Sequence, residues 1–196
     1  MAPMQPPCHI RGMRSALACV LIVALGVGVA GADNSKALAR HLRSRTHDRA
    51  IRADVLEWHH TMSNGCVAYA STALRHIGVA IPEREQLDGD GVSRLTRGFV
   101  RFLEDRLGWT RVVDGAALRP GDLAFTTDVA CCPGYPAHVF VFLGWRDRGK
   151  QIARIADNTG YGKARPLAAG GDRDGFAFAL RAPTVSAASR DRATAP

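Results

Sequence analysis

Between Asp33 and Trp58 the apolar positions are sparse and paired four residues apart, Leu38 with Leu42 and Ile51 with Val55. Arginines and other charged residues fill the remaining faces, which predicts a solvated N-terminal helix or helix pair packed by a narrow stripe. After Ser63-Asn64-Gly65, the residues Cys66, Tyr69, Ala70, Ala73, Leu74 and Ile77 recur at three- and four-residue intervals. That spacing predicts a helix with one apolar face, opened by the cap-type residues and closed by Gly78, with Pro82 barring continuation. An acidic loop runs through Asp90. Ser93 is then the expected cap of another helix, with Leu95, Phe99, Phe102, Leu103 and Leu107 on one side and Gly108 at its end.

Beyond Gly108 the period shortens. Thr110 to Val113, Leu123 to Thr127, His138 to Trp145, Ile152 to Asp157 and Phe176 to Leu180 read as strands separated by Gly-, Pro- and Asp-rich connections, one of them the Pro120-Gly121 turn. The run from Val139 to Leu143 is apolar at every position, as a central strand covered on both faces requires. Helices first and strands second predict an α+β fold, with the folded domain spanning 33–181. The Ala/Ser/Arg/Pro stretch 182–196 has no apolar periodicity and is expected to be a loose tail. No internal repeat is found.

Composition changes the picture at the N-terminus. The 196 residues carry 26 Lys+Arg against 18 Asp+Glu, and 46% are hydrophobic, so neither wholesale disorder nor a polytopic membrane protein is expected. Arg11 and Arg14 precede an apolar run from Ser15 to Ala30 that ends in Ala30-Gly31-Ala32. This is the charged, apolar, small-residue order of a secretory signal peptide, so 1–32 is expected to be removed on export, the mature protein being periplasmic or extracellular without stable membrane insertion. A basic exported protein is drawn toward anionic cell-envelope polymers. The 7% aromatic content leaves little for a nucleic-acid surface built on stacked rings.

The leader contains Cys8 and Cys19, leaving Cys66, Cys131 and Cys132. An odd count leaves one thiol unpaired in the monomer. A thiol in the first turn of a helix faces free backbone N–H groups and the positive end of the helix dipole, which stabilise a thiolate and can hold an oxyanion. Cys66 has that position, although a small buried apolar side chain is the plainer use of it. His138 is the only polar residue at the mouth of the apolar strand, where an imidazole can take a thiol proton and return it to a leaving amine. The orienting group for its second nitrogen is expected from Asp157 or Asn158 at the end of the next strand. Side chains alternate along a strand, so one of the two, not both, faces His138.

Three ordered segments carry a family resemblance. Asn64-Gly65-Cys66-Val67-Ala68-Tyr69 through Gly78 and Pro82 resembles the catalytic-cysteine segment of NlpC-type cell-wall peptidases. Leu118-Arg119-Pro120-Gly121-Asp122-Leu123-Ala124-Phe125 resembles their turn and strand, and Ala137-His138-Val139 through Leu143-Gly144 their histidine strand. CHAP-type amidases share the same core. The resemblance implies a papain-like α+β fold, Cys66 as nucleophile, His138 as base, no cofactor or metal, and amide bonds of peptidoglycan stem peptides as substrate. Gly65 and Val67-Ala68 depart from the usual Asp-Cys-Ser-Gly. The family's common third histidine is replaced by Asp157-Asn158, where similarity to papain-type strand ends favours Asn158. The papain-type comparison also implies His60 as an oxyanion donor.

Cys131-Cys132 lies just ahead of His138 in a Pro133-Gly134-Tyr135-Pro136 loop. The two can close a vicinal disulfide beside the site, or one can pair with Cys66. Zinc held by Cys66, Cys131, Cys132 and His138 lacks the usual C-x-x-C spacing. His41, His47 and His76 are expected on charged helix faces with no chemical part. Two rivals stay open: a deamidase or acyltransferase of the same fold acting on proteins, and a non-catalytic module that binds wall fragments.

Overall fold

The computed structural model describes residues 33–184 apart from 84, 88 and 171–173. The expected leader and the tail beyond Thr184 lie outside the described residues.

The N-terminal stretch forms a helix pair. Asp33 caps α1 (Asn34–His41) by accepting from the Lys36 N–H at 3.1 Å, and Ser44 caps α2 (Arg45–His59) by accepting from the Thr46 N–H at 3.2 Å. Leu38, Leu42, Ile51 and Val55, the expected stripe, are all buried. Helix α3 (Cys66–His76) is the central helix, burying every residue from Val67 to Leu74. Its small Ala and Ser residues let neighbours approach on all sides, so the apolar-face description understates its burial. A two-residue hairpin follows, β1 (Gln86–Leu87) with β2 (Asp90–Gly91), inside the stretch expected to be a loop. Helix α4 (Thr96–Arg101) runs on into a π-helical turn, Phe102–Arg106. Leu95 takes its cap position, and no side chain caps it. Ser93 lies too far upstream for that duty; its buried hydroxyl donates to the Pro82 carbonyl at 2.5 Å.

The strands are β3 (Thr110–Val112), β4 (Leu123–Thr126), β5 (Val139–Asp147), β6 (Ile152–Asp157), β7 (Gly160–Pro166) and β8 (Phe176–Arg181). They form one six-stranded sheet in the order β3-β8-β4-β5-β6-β7, with every neighbouring pair antiparallel. The architecture is therefore α+β, with four α-helices and an antiparallel sheet among the described residues. The sheet is apolar on both faces. Phe125, Val139, Val141 and Leu180 join the helices in the main core, while Phe140, Phe142, Ile155 and Ala179 form a second cluster with Leu118 and Leu167. Strand β7 escapes the sequence pattern because it is an edge strand with no buried residue and therefore needs no apolar alternation.

Two local features tie the layers together. Gly121, at φ +93°, packs so close to the start of α1 that a Cβ there would collide with the Ser35 carbonyl oxygen. Ala182, assigned to the tail from sequence, is buried, and its N–H donates to the Ser35 hydroxyl at 3.0 Å. Among the described residues no helix is long and apolar enough to cross a membrane.

Candidate active site

Cys66 is the first residue of α3. The chain reaches it through a tight turn in which the Gly65 N–H donates to the Met62 carbonyl at 3.2 Å and Asn64 adopts a left-handed backbone, φ 53°. Gly65 is the N-cap and has no side chain to offer, so no side-chain bond closes the helix. Ser63 and Asn64, expected to supply the cap, precede the cap position and do not. The first-turn N–H groups of α3 thus lack a side-chain cap beside the thiol, where a developing negative charge would be stabilised.

His138 immediately precedes β5 and is held in the ladder by its carbonyl, which accepts from the Thr126 N–H at 3.1 Å. Its Nε2 lies 3.0 Å from Asp157 Oδ2. Cys66 and His138 line the same cleft, close enough for the thiol to act on the charge of the ring. Burial disfavours the charged imidazole, but the bond to Asp157, the nearby Cys66 thiol and the charge of Asp157 outweigh it, and the His138 pKa is pushed up to about 9. The two groups, separated by seventy-odd residues in sequence, line one cleft.

Asp157 ends β6 with its side chain 2% exposed. Its Oδ1 accepts from the Thr159 N–H at 2.7 Å, the Thr159 hydroxyl at 2.8 Å and the Gly160 N–H at 3.1 Å. Burial alone would raise its pKa; the bonds from His138 and Thr159 and the imidazole charge win, holding it below the usual carboxylate range.

Val141 pairs with Ala156 across β5 and β6, which sets the start of β5 beside the end of β6 and brings His138 next to Asp157. Asn158, the residue favoured from sequence, is not its hydrogen-bond partner. Its Nδ2 instead donates to the Met62 carbonyl at 2.8 Å, tying the strand end to the turn that carries Cys66, and its buried Oδ1 has no partner among the described residues.

Behind this pair stands a network that no sequence pattern announced. Arg52 of α2 donates to the carbonyls of Asn158 at 3.0 Å and Asp157 at 2.6 Å, and its Nε to Asp48 Oδ2 at 3.0 Å. The Tyr69 hydroxyl of α3 donates to Asp48 Oδ1 at 2.7 Å, and the Arg52 guanidinium lies over the Tyr69 ring, 5.1 Å from its centroid. Burial and the Asp48 bond raise the Tyr69 pKa, keeping it a donor. One signal was available: Asp48 and Arg52 are four apart on a helix, as an ion pair requires. Nothing in sequence aimed them at residue 157.

Cys66 and His138 open on a cleft of about 710 Å³, walled by the 62–67 turn, residues 94–96 and residues 135–138. Among the described residues, no Asp or Glu lines it; Arg94 does. His60 does not. It ends α2 in a left-handed conformation, φ 65°, is exposed, and lines a separate depression with Asp54, Glu57 and Glu83, so the oxyanion role expected of it has no geometric basis.

Cys66, Cys131 and Cys132 are all free thiols, so neither expected disulfide is formed. Residues 129–135 make a compact turn, with the Cys132 N–H donating to Val129 at 2.9 Å and the Tyr135 N–H to Cys132 at 3.1 Å. Val129 and Tyr135 both face the cleft. A hydrogen bond with Cys131 raises the Cys132 thiol pKa. Among the described residues no group of three or more His, Cys, Asp or Glu is arranged to hold a metal ion. His41, His47 and His76 cluster instead of lying apart: the His41 and His47 rings stack at 4.1 Å, the His41 and His76 rings meet edge-on at 5.6 Å, and His76 Nε2 lies 2.6 Å from Asp54.

Comparison with known proteins returns no matching family model, no matching curated protein and no matching solved structure.

Proposed function

We propose that this chain is an exported cysteine hydrolase of papain-like fold that cleaves amide bonds in peptidoglycan stem peptides. The observation that carries the proposal is the imidazole of His138, bonded to the buried Asp157 carboxylate at 3.0 Å and opening on the same cleft as Cys66 at the uncapped head of α3.

The chemistry follows from that arrangement. His138 is placed to hold the Cys66 proton while the sulfur acts as nucleophile. The sulfur attacks the substrate carbonyl carbon, and the first-turn N–H of Cys66 donates to the oxyanion. His138 gives its Nδ1 proton to the departing amine, leaving a thioester on Cys66. Neutral His138 then takes a proton from water as it attacks the thioester, and collapse returns the thiolate, the imidazolium and a carboxylate product. Asp157 keeps the ring in the orientation that points Nδ1 at sulfur. The substrate assignment is supported by the resemblance of the three ordered motifs and by the cleft's charge, since Arg94 without a lining carboxylate suits the acidic groups of stem peptides.

The test has two steps. Iodoacetamide should alkylate Cys66 at neutral pH about tenfold or more faster than the same thiol in denatured protein, because a thiolate is the reacting species. Purified muropeptides should then be cut to fragments whose masses sum to that of the substrate plus one water, and not by Cys66→Ala protein. A slow thiol would remove the enzyme reading. Intact muropeptides together with a deamidated or acyl-modified protein substrate would remove the cell-wall reading.

A further inference from the structure

A second concavity, of about 470 Å³, lies between α1, the Arg119–Asp122 turn and the end of β8, and shares no residue with the cleft. Five cations line it, Lys36, Arg40, Arg43, Arg119 and Arg181, against two carboxylates. Both carboxylates are already engaged. Asp33 pairs with Lys36 at 2.8 Å, and the fully buried Asp122 holds Arg181 by two bonds, at 3.0 and 2.6 Å. The guanidinium groups of Arg40, Arg43 and Arg119 have no hydrogen-bond or ion-pair partner among the described residues.

The walls are fixed. Gly121 brings the turn against the Ser35 backbone, Asp122 accepts from the Arg119 N–H at 2.8 Å, and the Ser35 hydroxyl receives the Ala182 N–H. Three uncompensated guanidiniums around one pocket repel each other, and no acidic residue of the pocket is left to relieve them. An anion that enters would do so. A guanidinium fork matches a phosphate or carboxylate edge, but only a phosphate monoester presents three terminal oxygens and close to two charges to three such forks. The volume exceeds one phosphate and falls in the range of small-ligand sites, and Ala39 and Pro120 give it an uncharged wall.

We infer that this pocket binds a phosphate-bearing ligand, through Arg40, Arg43 and Arg119, independently of the cleft. Glycerol 3-phosphate should bind saturably in calorimetric titration and be displaced by inorganic phosphate. Its affinity should fall about tenfold or more in Arg43→Ala/Arg119→Ala protein, the loss expected of charge-assisted hydrogen bonds. The charge-matched Arg49→Ala/Arg146→Ala variant should bind as the wild type does. Arg43→Lys/Arg119→Lys, which keeps the charge and loses the fork, should bind less tightly than wild type, with all variants melting alike. Vesicles of phosphatidylglycerol against phosphatidylcholine form a second arm. Binding to the anionic vesicles that is lost in the Arg43/Arg119 variant, without binding of glycerol 3-phosphate, assigns the phosphate to a lipid headgroup; binding of the soluble ester assigns it to a free one. No saturable binding in either arm, or an equal loss in the Arg49/Arg146 variant, overturns the proposal. Cys66 alkylation should be unchanged in the pocket variants, so the phosphate pocket and the hydrolase can fail separately.

Discussion

At the scale of single residues, the consequential choice is between two neighbours. Asp157 has one oxygen on His138 and the other on three donors from Thr159 and Gly160, whereas Asn158 directs its amide to the Met62 carbonyl. The two therefore fail differently. In Asp157→Asn the imidazole loses its charged partner, so its pKa drops from about 9 toward the ordinary 6.5. The alkaline limb of kcat/KM, which reports loss of the imidazolium, should move the same way by one unit or more. The drop in kcat should reach about a hundredfold or more, as for triads deprived of their carboxylate. In Asn158→Ala the limb stays near 9, and the loss appears as looser positioning of Cys66. A pH–rate profile of both variants decides it: a limb that shifts in Asn158→Ala and not in Asp157→Asn would reverse the assignment. His60→Ala should leave the profile and the rate unchanged. Alternation along the strand lets one of two adjacent side chains face His138, but which one depends on how the end of β6 meets the start of β5. The bulges at Phe142/Gly144 and Trp145/Asp147 that shape this pairing leave no local signature.

At the scale of elements, the site joins pieces from two layers, the nucleophile from a helix and the base and its partner from adjacent strands. The joint is Arg52, which ties α2 to the end of β6 through two backbone carbonyls while Asp48 and Tyr69 tie α2 to α3. Arg52→Ala strands a largely buried Asp48 carboxylate and frees both carbonyls, so a stability loss of about 3 kcal/mol is expected in urea denaturation. Arg52→Lys can satisfy one carbonyl but not the three-way fork and should recover part of that loss. Equal stability of Arg52→Ala and wild type would mean that the network stiffens nothing. The helices and the inner strands were legible because each buries apolar residues with its own period, and the edge strand β3, which buries nothing, from its β-branched Thr110 to Val113 run. The network was not, because long-range polar contacts have no period, and β7 was not, because an edge strand buries nothing. Gly121 is the exception: its Pro-Gly turn could be read directly, although only the structure shows that the glycine is there to admit the Ser35 backbone.

At the scale of the whole molecule, titration in the helix layer and at the helix–sheet junction pulls stability in opposite directions. Burial first, then the charges of His47 and His76, lower the His41 pKa, and its buried Nε2 has no partner among the described residues. The unfolded chain therefore takes up a proton before the folded one as pH falls through 6.5, and the stability present above that pH is lost below it. His138 has the opposite sign. Its folded pKa of about 9 exceeds the ordinary 6.5, so its contribution is complete below 6.5 and disappears as pH climbs through 9. Asp157, held below 3.8, contributes fully at every pH above that value and adds to the acid loss only when pH falls below it. The stability of the folded unit should therefore peak near pH 6.5 and decline on both sides. Urea midpoints measured from pH 4 to 10 test this. His41→Phe, which keeps a ring against His47 and removes the proton, should flatten the upper part of the acid decline without touching the alkaline one. Asp157→Asn should do the reverse, taking away the decline between 6.5 and 9 because His138 no longer holds its proton there. A profile still rising from pH 7 to 9 in the wild type would show that the His138–Asp157 pair contributes nothing to folding, and would take away the physical basis for an imidazolium beside Cys66.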